Sequence, residues 1–277
     1  MAGKKKDTSL LHHLVGSRSL VWNLAKNDIK KKFAGSYFGV VWAFVQPVIT
    51  VLLYWFVFEK GLNSKATDLR TGIEIPFVLW LTAGLVPWFY FQEALNGGTG
   101  VLVEYSYLVK KVVFQIDMLP VVKMISALFT HLFFVAFTMV LFICMGYMPD
   151  WYALQVVYYS FCMILFATGL VYATSAVTVF FRDMKEVVGI LLQIGMWVTP
   201  IMWNFETMVQ IPGWAIAVLK LNPMYYIVSG YRNALSNHIG IGEDKGITEY
   251  FWVVTAVILF LGTTVFKRLR PHFADVL

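Results

Sequence analysis

The chain has 277 residues, of which 59% are hydrophobic and 14% are charged, and its formal net charge is +6. A soluble domain is about 45–50% apolar and about 25% charged, so this composition excludes an ordinary soluble protein and indicates a chain that lies mostly in lipid. The only cysteines, Cys144 and Cys162, both fall inside apolar runs. No disulfide framework or thiolate metal site is therefore expected.

The first 36 residues are basic and form a segment of their own. They contain neither a short apolar core nor a small-residue cleavage site, so we expect them to remain on the protein. Apolar residues alternate with charged ones at four-residue spacing, at Val21, Ala25, Ile29 and Phe33. This pattern predicts a cytoplasmic amphipathic helix along the inner membrane surface in residues 1–36, ahead of one transmembrane domain in residues 37–277.

Six charge-poor runs follow the basic segment. Each is close to or above the roughly 20 residues that a helix needs to cross the hydrocarbon layer. The sequence therefore predicts an all-α membrane protein with six transmembrane helices. The predicted spans are about 37–58, 75–95, 121–146, 151–180, 187–205 and 250–266.

The basic residues predict the orientation. If the N-terminal side is cytoplasmic, sixteen of the 22 lysine and arginine residues lie on that side, so both termini are expected in the cytoplasm. Two further apolar runs, residues 207–219 and 221–231, are too short to cross singly and are broken at Pro212-Gly213 and Asn222-Pro223. They predict a re-entrant helical hairpin in the outer leaflet, between spans five and six, that borders a pathway.

Two cytoplasmic connections have the character of contact surfaces. Asn96-Gly97-Gly98-Thr99-Gly100 predicts a flexible turn, and the moderately apolar residues 101–117 follow it with several charges among them. This segment ends at Leu119-Pro120, where the proline suits the first turn of a helix. The connection between spans four and five is short, at residues 181–186.

The sequence offers little chemistry of its own. A Walker-type phosphate loop, a His-Glu-x-x-His zinc motif and a serine nucleophile elbow are all absent from the 277 residues. We therefore expect no catalytic residue, no metal site and no ATP hydrolysis by this chain. Inside the predicted spans the ionisable residues are almost confined to His131, with Glu93 at the end of span two, and an interhelical hydrogen bond is favoured for His131 over a proton relay.

Aromatic residues make up 17% of the chain. They have two interpretations: an interfacial belt, or a path on which sugar rings stack and slide. The candidates for lining such a path are Trp42, Tyr54, Trp88, Tyr90, Trp197 and Trp203.

Four motifs occur together in the order of a known family. They are NDIKKKFAGSYFGVVWAFVQP from Asn27 to Pro47, YLVKKVVF from Tyr107 to Phe114, Phe181-Arg182-Asp183, and LNPMYY from Leu221 to Tyr226 followed by Tyr231-Arg232. In these motifs the chain resembles the membrane subunit of type-2 ABC exporters for polysaccharides, which include O-antigen, capsule and teichoic acid exporters. One departure is Gln115, where many relatives have proline.

The resemblance implies a homodimer in the bacterial cytoplasmic (inner) membrane, with two ATP-binding subunits docked on its cytoplasmic face. ATP and magnesium belong to those subunits, and this chain binds no cofactor and no nucleic acid. The substrate would be a polyprenyl-pyrophosphate-linked polysaccharide that crosses through a channel at the dimer interface. The implied docking residues are Glu104, Tyr107, Lys110, Lys111, Arg182 and Asp183.

Lys30, Lys31 and Lys32 have two interpretations of equal weight. They attract the lipid pyrophosphate or anionic headgroups, or they are a topology signal alone. Two alternatives to polysaccharide export also stay open. One is export of a small lipid or drug by the same superfamily, and the other is a membrane protein that works without an ATPase partner.

Overall fold

The computed structural model describes residues 18–32, 34–67, 72, 74–110, 115–204 and 211–277. Within these ranges the chain is built almost wholly of helices. The α-helices are α1 (Arg18–Lys32), α2 (Trp42–Trp55), α3 (Phe77–Thr99), α4 (Val101–Glu104), α5 (Ser106–Val109), α6 (Met118–Cys144), α7 (Gln155–Phe180), α8 (Met184–Val198), α9 (Gly213–Lys220), α10 (Pro223–Arg232), α11 (Lys245–Leu269) and α12 (Phe273–Val276). Short 3-10 or π turns lie at Gly39–Val41, Phe56–Gly61, Trp151–Leu154, Asn233–Asn237 and Arg270–His272.

A small strand pair departs from the all-α prediction. In the connection between α2 and α3, β1 (Ala66–Thr67) pairs antiparallel with β2 (Glu74–Ile75). Ala66 lies opposite Ile75, and both are buried. The pair closes this connection into a hairpin before α3 begins.

The chain is a multi-pass membrane protein. Among the described residues, four helices are long and apolar enough to cross a membrane: Trp42–Gly61, Met118–Cys144, Trp151–Phe180 and Lys245–Val276. The helix α3 has 23 residues but is less apolar, and α8 has 15 residues, a rise of only about 22 Å at 1.5 Å per residue. The helical multi-pass prediction is confirmed, and the count of six spans stays a prediction.

The helix α3 runs through the middle of the bundle. Most of its side chains are buried, and it packs against α6, α7, α8 and α10. At one end of the bundle lie α1, α4, α5 and α12, and we call this the basic end. At the opposite end lie α9, α10 and the turn at residues 238–244, and we call this the far end.

The first predicted span was wrong at its start. The sequence predicted that it begins at Tyr37, but α2 begins at Trp42. Gly35 and Gly39 have φ values of +81° and +53°, which a right-handed helix does not allow, so the chain turns twice before the helix can start. Pro47 lies within the helix, which continues through its π turn to Gly61.

The predicted flexible turn at residues 96–100 was also wrong. The helix α3 continues through Thr99, because the glycines serve packing here. A Cβ on Gly98 would collide with the side chain of Val171 in α7. A glycine at this position lets two helices approach closely, and that contact outweighs its poor helix propensity.

The fifth predicted span ends early, and two short helices follow it. The helix α8 ends at Val198 rather than at residue 205, because Thr199 precedes Pro200 and such a position disfavours helical backbone. The short helices α9 and α10 lie where the two short apolar runs predicted them. At the start of α10 the side chain of Asn222 accepts a hydrogen bond from the Met224 N–H at 3.0 Å. Re-entry of this hairpin into the membrane stays a prediction.

Candidate functional site

The helix α1 packs on α6 at the basic end. Val21 and Ala25 are buried against Met118 and Val122 of α6. The sequence predicted Ile29 and Phe33 on the same apolar face, but Ile29 is only half-buried and Phe33 lies outside the described residues. The third buried position is instead a carboxylate, Asp28, which is 5% exposed.

Asp28 is the centre of a hydrogen-bonded cluster. Its Oδ1 accepts a hydrogen bond from Lys123 Nζ at 2.6 Å and from the Tyr105 hydroxyl at 2.8 Å. Lys123 Nζ also lies 2.9 Å from Oε2 of Glu104. Burial raises the pKa of Tyr105 well above its ordinary value, and Asp28 adds to this, so the phenol stays protonated and donates. This Asp28 cluster joins α1, α4 and α6.

Two further ion pairs join elements at the basic end. Lys32 Nζ lies 2.6 Å from Oε1 of Glu93, which links α1 to α3. Arg270 Nη1 lies 2.7 Å from Oδ2 of Asp117, and the Tyr172 hydroxyl donates to the Asp117 carbonyl at 2.8 Å. The C-terminal segment is thereby attached to the start of α6.

The predicted docking residues share one exposed surface. Glu104, Tyr107, Lys110, Arg182 and Asp183 are all exposed at the basic end, and Lys111 lies outside the described residues. A Cβ on Gly100 would lie 2.5 Å from Cε of Lys185, so the first turn of α8 touches the start of α4. Lys31 Nζ lies 5.8 Å from the ring centre of Tyr107. These contacts place α1, α4, α5 and the start of α8 side by side, and the α7–α8 connection lies directly before that start.

A large groove begins beside the Asp28 cluster. It has a cavity volume of about 850 Å³ and lies between α1, α2, α3 and α6, with Met196 of α8 at its edge. Lys31 and Lys32 line it at the basic end, and Trp42, Tyr54 and Phe89 line it further along. Lys30 is exposed and does not line it. We call it the lateral groove, and it joins two groups of residues that the sequence proposed separately.

The sequence of residues 19–236 matches the model of the family described as ABC-2 type transporter. The chain belongs to the ABC-2 type transporter family.

Named relatives of this ABC-2 chain align over nearly its whole length. The O-antigen export system permease protein RfbA of Myxococcus xanthus is 25% identical over 266 residues, which cover 96% of this chain and 98% of that protein. Two proteins of the same name from Klebsiella pneumoniae are 21% and 20% identical, and each alignment covers 92% of this chain and 93% of the relative.

The remaining predicted aromatic residues of the ABC-2 chain lie in different environments. Trp88 and Tyr90 are each 2% exposed inside the bundle, whereas Trp42 and Trp197 are 47% and 57% exposed. Trp203 is half-buried at the far end, where its Nε1 donates to the Trp197 carbonyl at 3.0 Å. Trp88 and Tyr90 therefore do not lie on the surface of the single chain, and their lining of a channel stays a prediction.

His131 makes interhelical hydrogen bonds. Its Nε2 lies 3.0 Å from the Tyr231 hydroxyl and 3.3 Å from the Ser160 hydroxyl. The contacts join α6, α10 and α7 and correspond to the role that the sequence favoured. Among the described residues, no group of three or more histidine, cysteine, aspartate or glutamate side chains could hold a metal ion.

Sequence reasoning missed two buried polar groups. Asp28 follows Val21 and Ala25 at spacings of seven and three, on the same helix face, and a carboxylate at such a position is a readable signal for a buried ion pair. Arg232 is 6% exposed at the far end, and its guanidinium donates to the carbonyls of Trp80, Pro200 and Ile201. In the sequence Arg232 is visible only as part of the Tyr231-Arg232 motif, and no local pattern there predicts its burial.

Proposed function

We propose that this chain is the transmembrane subunit of an ATP-driven exporter. It moves a polyprenyl-pyrophosphate-linked polysaccharide across the bacterial cytoplasmic membrane, with both termini in the cytoplasm. The lateral groove carries this proposal, because it joins lysines at the basic end to aromatic side chains along its length. The family and the O-antigen export permeases that align over almost the whole chain support it.

The groove suits a ligand with two chemical parts. Lys31 and Lys32 at the basic end attract a diphosphate at the level of the lipid headgroups, where each basic residue contributes about 1 kcal/mol. Trp42, Phe44 and Tyr54 supply apolar faces for the attached chain or rings. Glu93 pairs with Lys32 at the groove, so an incoming diphosphate competes with this carboxylate for the ammonium group.

Two copies of a separate ATP-binding subunit dock on the basic end and hold ATP and magnesium. They contact the surface formed by Glu104, Tyr107, Lys110, Lys111, Arg182 and Asp183. The Asp28 cluster lies directly behind this surface and connects it to α1 and α6. A displacement of the docking surface is thereby passed to two walls of the lateral groove.

A second copy of the chain covers the exposed apolar residues of α2 and α8. The exposed residues on these helices are Trp42, Ile49, Leu52 and Leu53, and Ile190, Leu191, Ile194 and Trp197. In lipid such a surface needs no partner. The dimer is inferred from the family resemblance, and the channel then lies between the two copies.

Reconstitution tests the proposal. The chain is co-expressed with its ATP-binding subunit, placed in proteoliposomes, and assayed for ATP-dependent transfer of a polyprenyl-pyrophosphate-linked glycan. Lys32→Gln removes one groove charge, and we expect apparent substrate affinity to fall about fivefold, the equivalent of about 1 kcal/mol.

The matched control is Lys32→Gln combined with Asn27→Lys. Asn27 is exposed on α1 and does not line the groove, so the double variant restores the basic charge of α1 away from the groove. If the lysines are only a topology signal, the double variant transports normally, and the headgroup role is wrong. Transport that needs no ATP-binding subunit would overturn the exporter proposal itself.

A further inference from the structure

A second cavity opens at the far end of the bundle. It has a volume of about 270 Å³ and lies between α10, its π turn, the start of α3, the segment after α8 and the start of α11. Glu243 and Asp244 at its rim are exposed, so water reaches it. We call it the far-end cavity.

The lining of the far-end cavity combines aromatic rings with amides and carboxylates. Its aromatic residues are Trp80, Tyr159, Trp203, Tyr225 and Tyr226, and its amides and carboxylates are Asn204, Asn233, Asn237, Glu243 and Asp244. Small-molecule sites typically have such a lining, in which apolar and aromatic surface predominates and a few polar groups fix orientation.

Local hydrogen bonds hold the polar groups in place. Oε1 of Glu243 accepts from the Gly240 N–H at 3.0 Å, and Oδ1 of Asp244 accepts from the Ile247 N–H at 3.2 Å at the start of α11. Nδ2 of Asn237 donates to Oδ1 of Asn233 at 2.9 Å. Each of these hydrogen bonds uses one oxygen of a carboxylate, and a carboxylate can accept hydrogen bonds at both of its oxygens. The lining is therefore organised before any ligand arrives.

The charges of the lining restrict the ligand. Arg232 lies 3.3 Å from the ring centre of Trp80, and its guanidinium is engaged by three backbone carbonyls. Two carboxylates, Glu243 and Asp244, stand at the rim. An anionic ligand would approach these carboxylates against repulsion, whereas a neutral or cationic ligand would not.

We propose that the far-end cavity binds a neutral or amino-sugar ring of the exported polysaccharide as it leaves the transporter. The C–H face of a pyranose packs on an aromatic ring, and its hydroxyls exchange hydrogen bonds with amides and carboxylates. The rim charges disfavour polyol-phosphate polymers, so the site favours a neutral or amino-sugar polysaccharide over a teichoic acid. This inference rests on the proposed function.

A binding assay on the full chain in lipid nanodiscs tests the inference. The probes are an array of neutral and aminohexose oligosaccharides, their constituent monosaccharides, uronic-acid oligosaccharides and poly(glycerol phosphate). We expect at least one neutral or amino-sugar oligosaccharide to bind more tightly than its free monosaccharide and than either anionic class. Trp203→Ala should weaken that binding about fivefold to tenfold, and Trp214→Ala, on an exposed tryptophan outside the cavity, should not change it.

A pair of substitutions that removes the two rim charges provides a second readout, and this readout does not depend on Trp203. Glu243→Gln and Asp244→Asn keep an acceptor oxygen for the Gly240 and Ile247 N–H groups, so the local fold is retained. The double variant should bind the anionic probes more tightly than the wild-type chain does. Three results would overturn the inference. They are no binding of any sugar, tighter binding of an anionic probe by the wild-type chain, and an equal loss of sugar affinity in the Trp203 and Trp214 variants. Such results leave the ATP-dependent export assay unaffected, so the two proposals fail separately.

Discussion

At the scale of single residues, Asp28 shows how a buried charge can determine the position of α1 on the helix beneath it. Its side chain is 6% exposed and that of Lys123 is 13% exposed. A buried pair repays its desolvation only when additional hydrogen bonds complete it, and the Tyr105 hydroxyl and Glu104 supply them. The pair favours one register of α1 on α6, because a shift of α1 would separate the buried Asp28 carboxylate from both Lys123 and the Tyr105 hydroxyl.

The Asp28 pair predicts a non-additive loss of stability. Lys123→Met leaves a buried carboxylate uncompensated and should lower the free energy of unfolding by about 3 kcal/mol. Asp28→Asn combined with Lys123→Met removes both charges and should recover more than half of that loss. The measurement is denaturant unfolding in detergent micelles. Lys267→Met, at an exposed position of α11, serves as the control and should change stability by about 0.5 kcal/mol or less. Two results would contradict the role of the pair. One is an equal loss of stability in the control, and the other is a double variant whose loss equals the sum of the losses of its two single variants.

The carboxylate of this pair could be predicted from the sequence, but its partners could not. Asp28 occupies the helix face that Val21 and Ala25 define, and this spacing is visible in the chain alone. Lys123 and Tyr105 lie 95 and 77 residues away. Their approach depends on how α4 and α6 pack, which no local pattern specifies.

At the scale of elements, glycine residues interrupt the helix at one place in the chain and lie inside a helix at another. Gly35 and Gly39 take left-handed backbone and delay α2, whereas Gly97 and Gly98 lie within α3, where Gly98 admits Val171 of α7. Glycine permits both a turn and a close helix contact. The sequence therefore predicted where the chain is free to bend, and tertiary packing decided whether it does.

The contact between α7 and α11 predicts opposite effects of two glycine substitutions. A Cβ on Gly262 would collide with the backbone carbonyl of Gly169, and backbone cannot move aside at low cost. Gly262→Ala should therefore lower the free energy of unfolding by about 1–3 kcal/mol. Gly189→Ala, in α8, has no atom within 4 Å of the added Cβ and should raise stability by up to about 1 kcal/mol through helix propensity.

Thermal and denaturant unfolding of both variants in micelles checks the pair of substitutions. Helix propensity alone would raise stability at both glycines. A stabilised Gly262→Ala variant would therefore show that α7 and α11 do not pack through these glycines.

At the scale of the whole molecule, the class of protein could be predicted from the sequence, whereas the shape of its cavities could not. The four family motifs are distributed over nearly the full chain, and so is the similarity to the relatives. The lateral groove could not be foreseen as a cavity, because its walls come from four helices distant in sequence. Trp42 and Tyr54 lie along this groove and Trp88 lies inside the bundle, and the lining of a sugar path by these residues stays a prediction.

The proposed channel between two copies predicts nucleotide-dependent accessibility. Single cysteines replace Trp42 or Trp197 in a background where Cys144 and Cys162 are serine, because Cys144 is exposed. In the reconstituted complex, labelling by a membrane-impermeant maleimide should differ between the nucleotide-free and ATP-bound states. A cysteine at Trp88, which is 2% exposed, is the buried control. Unchanged labelling of both test positions in every nucleotide state would place them in lipid.

The ion pairs of α1 also have a consequence for biosynthesis. The partners of Lys32 and Asp28 lie 61 and 95 residues further along the chain. At about 5–20 residues per second, ribosomes reach Lys123 about 5–20 s after Asp28. Until Glu93 is made, the nascent basic helix has neither partner, and its lysines oppose its translocation. In the proposed orientation, the basic charge of α1 thus keeps this helix on the cytoplasmic side before its ion pairs can form.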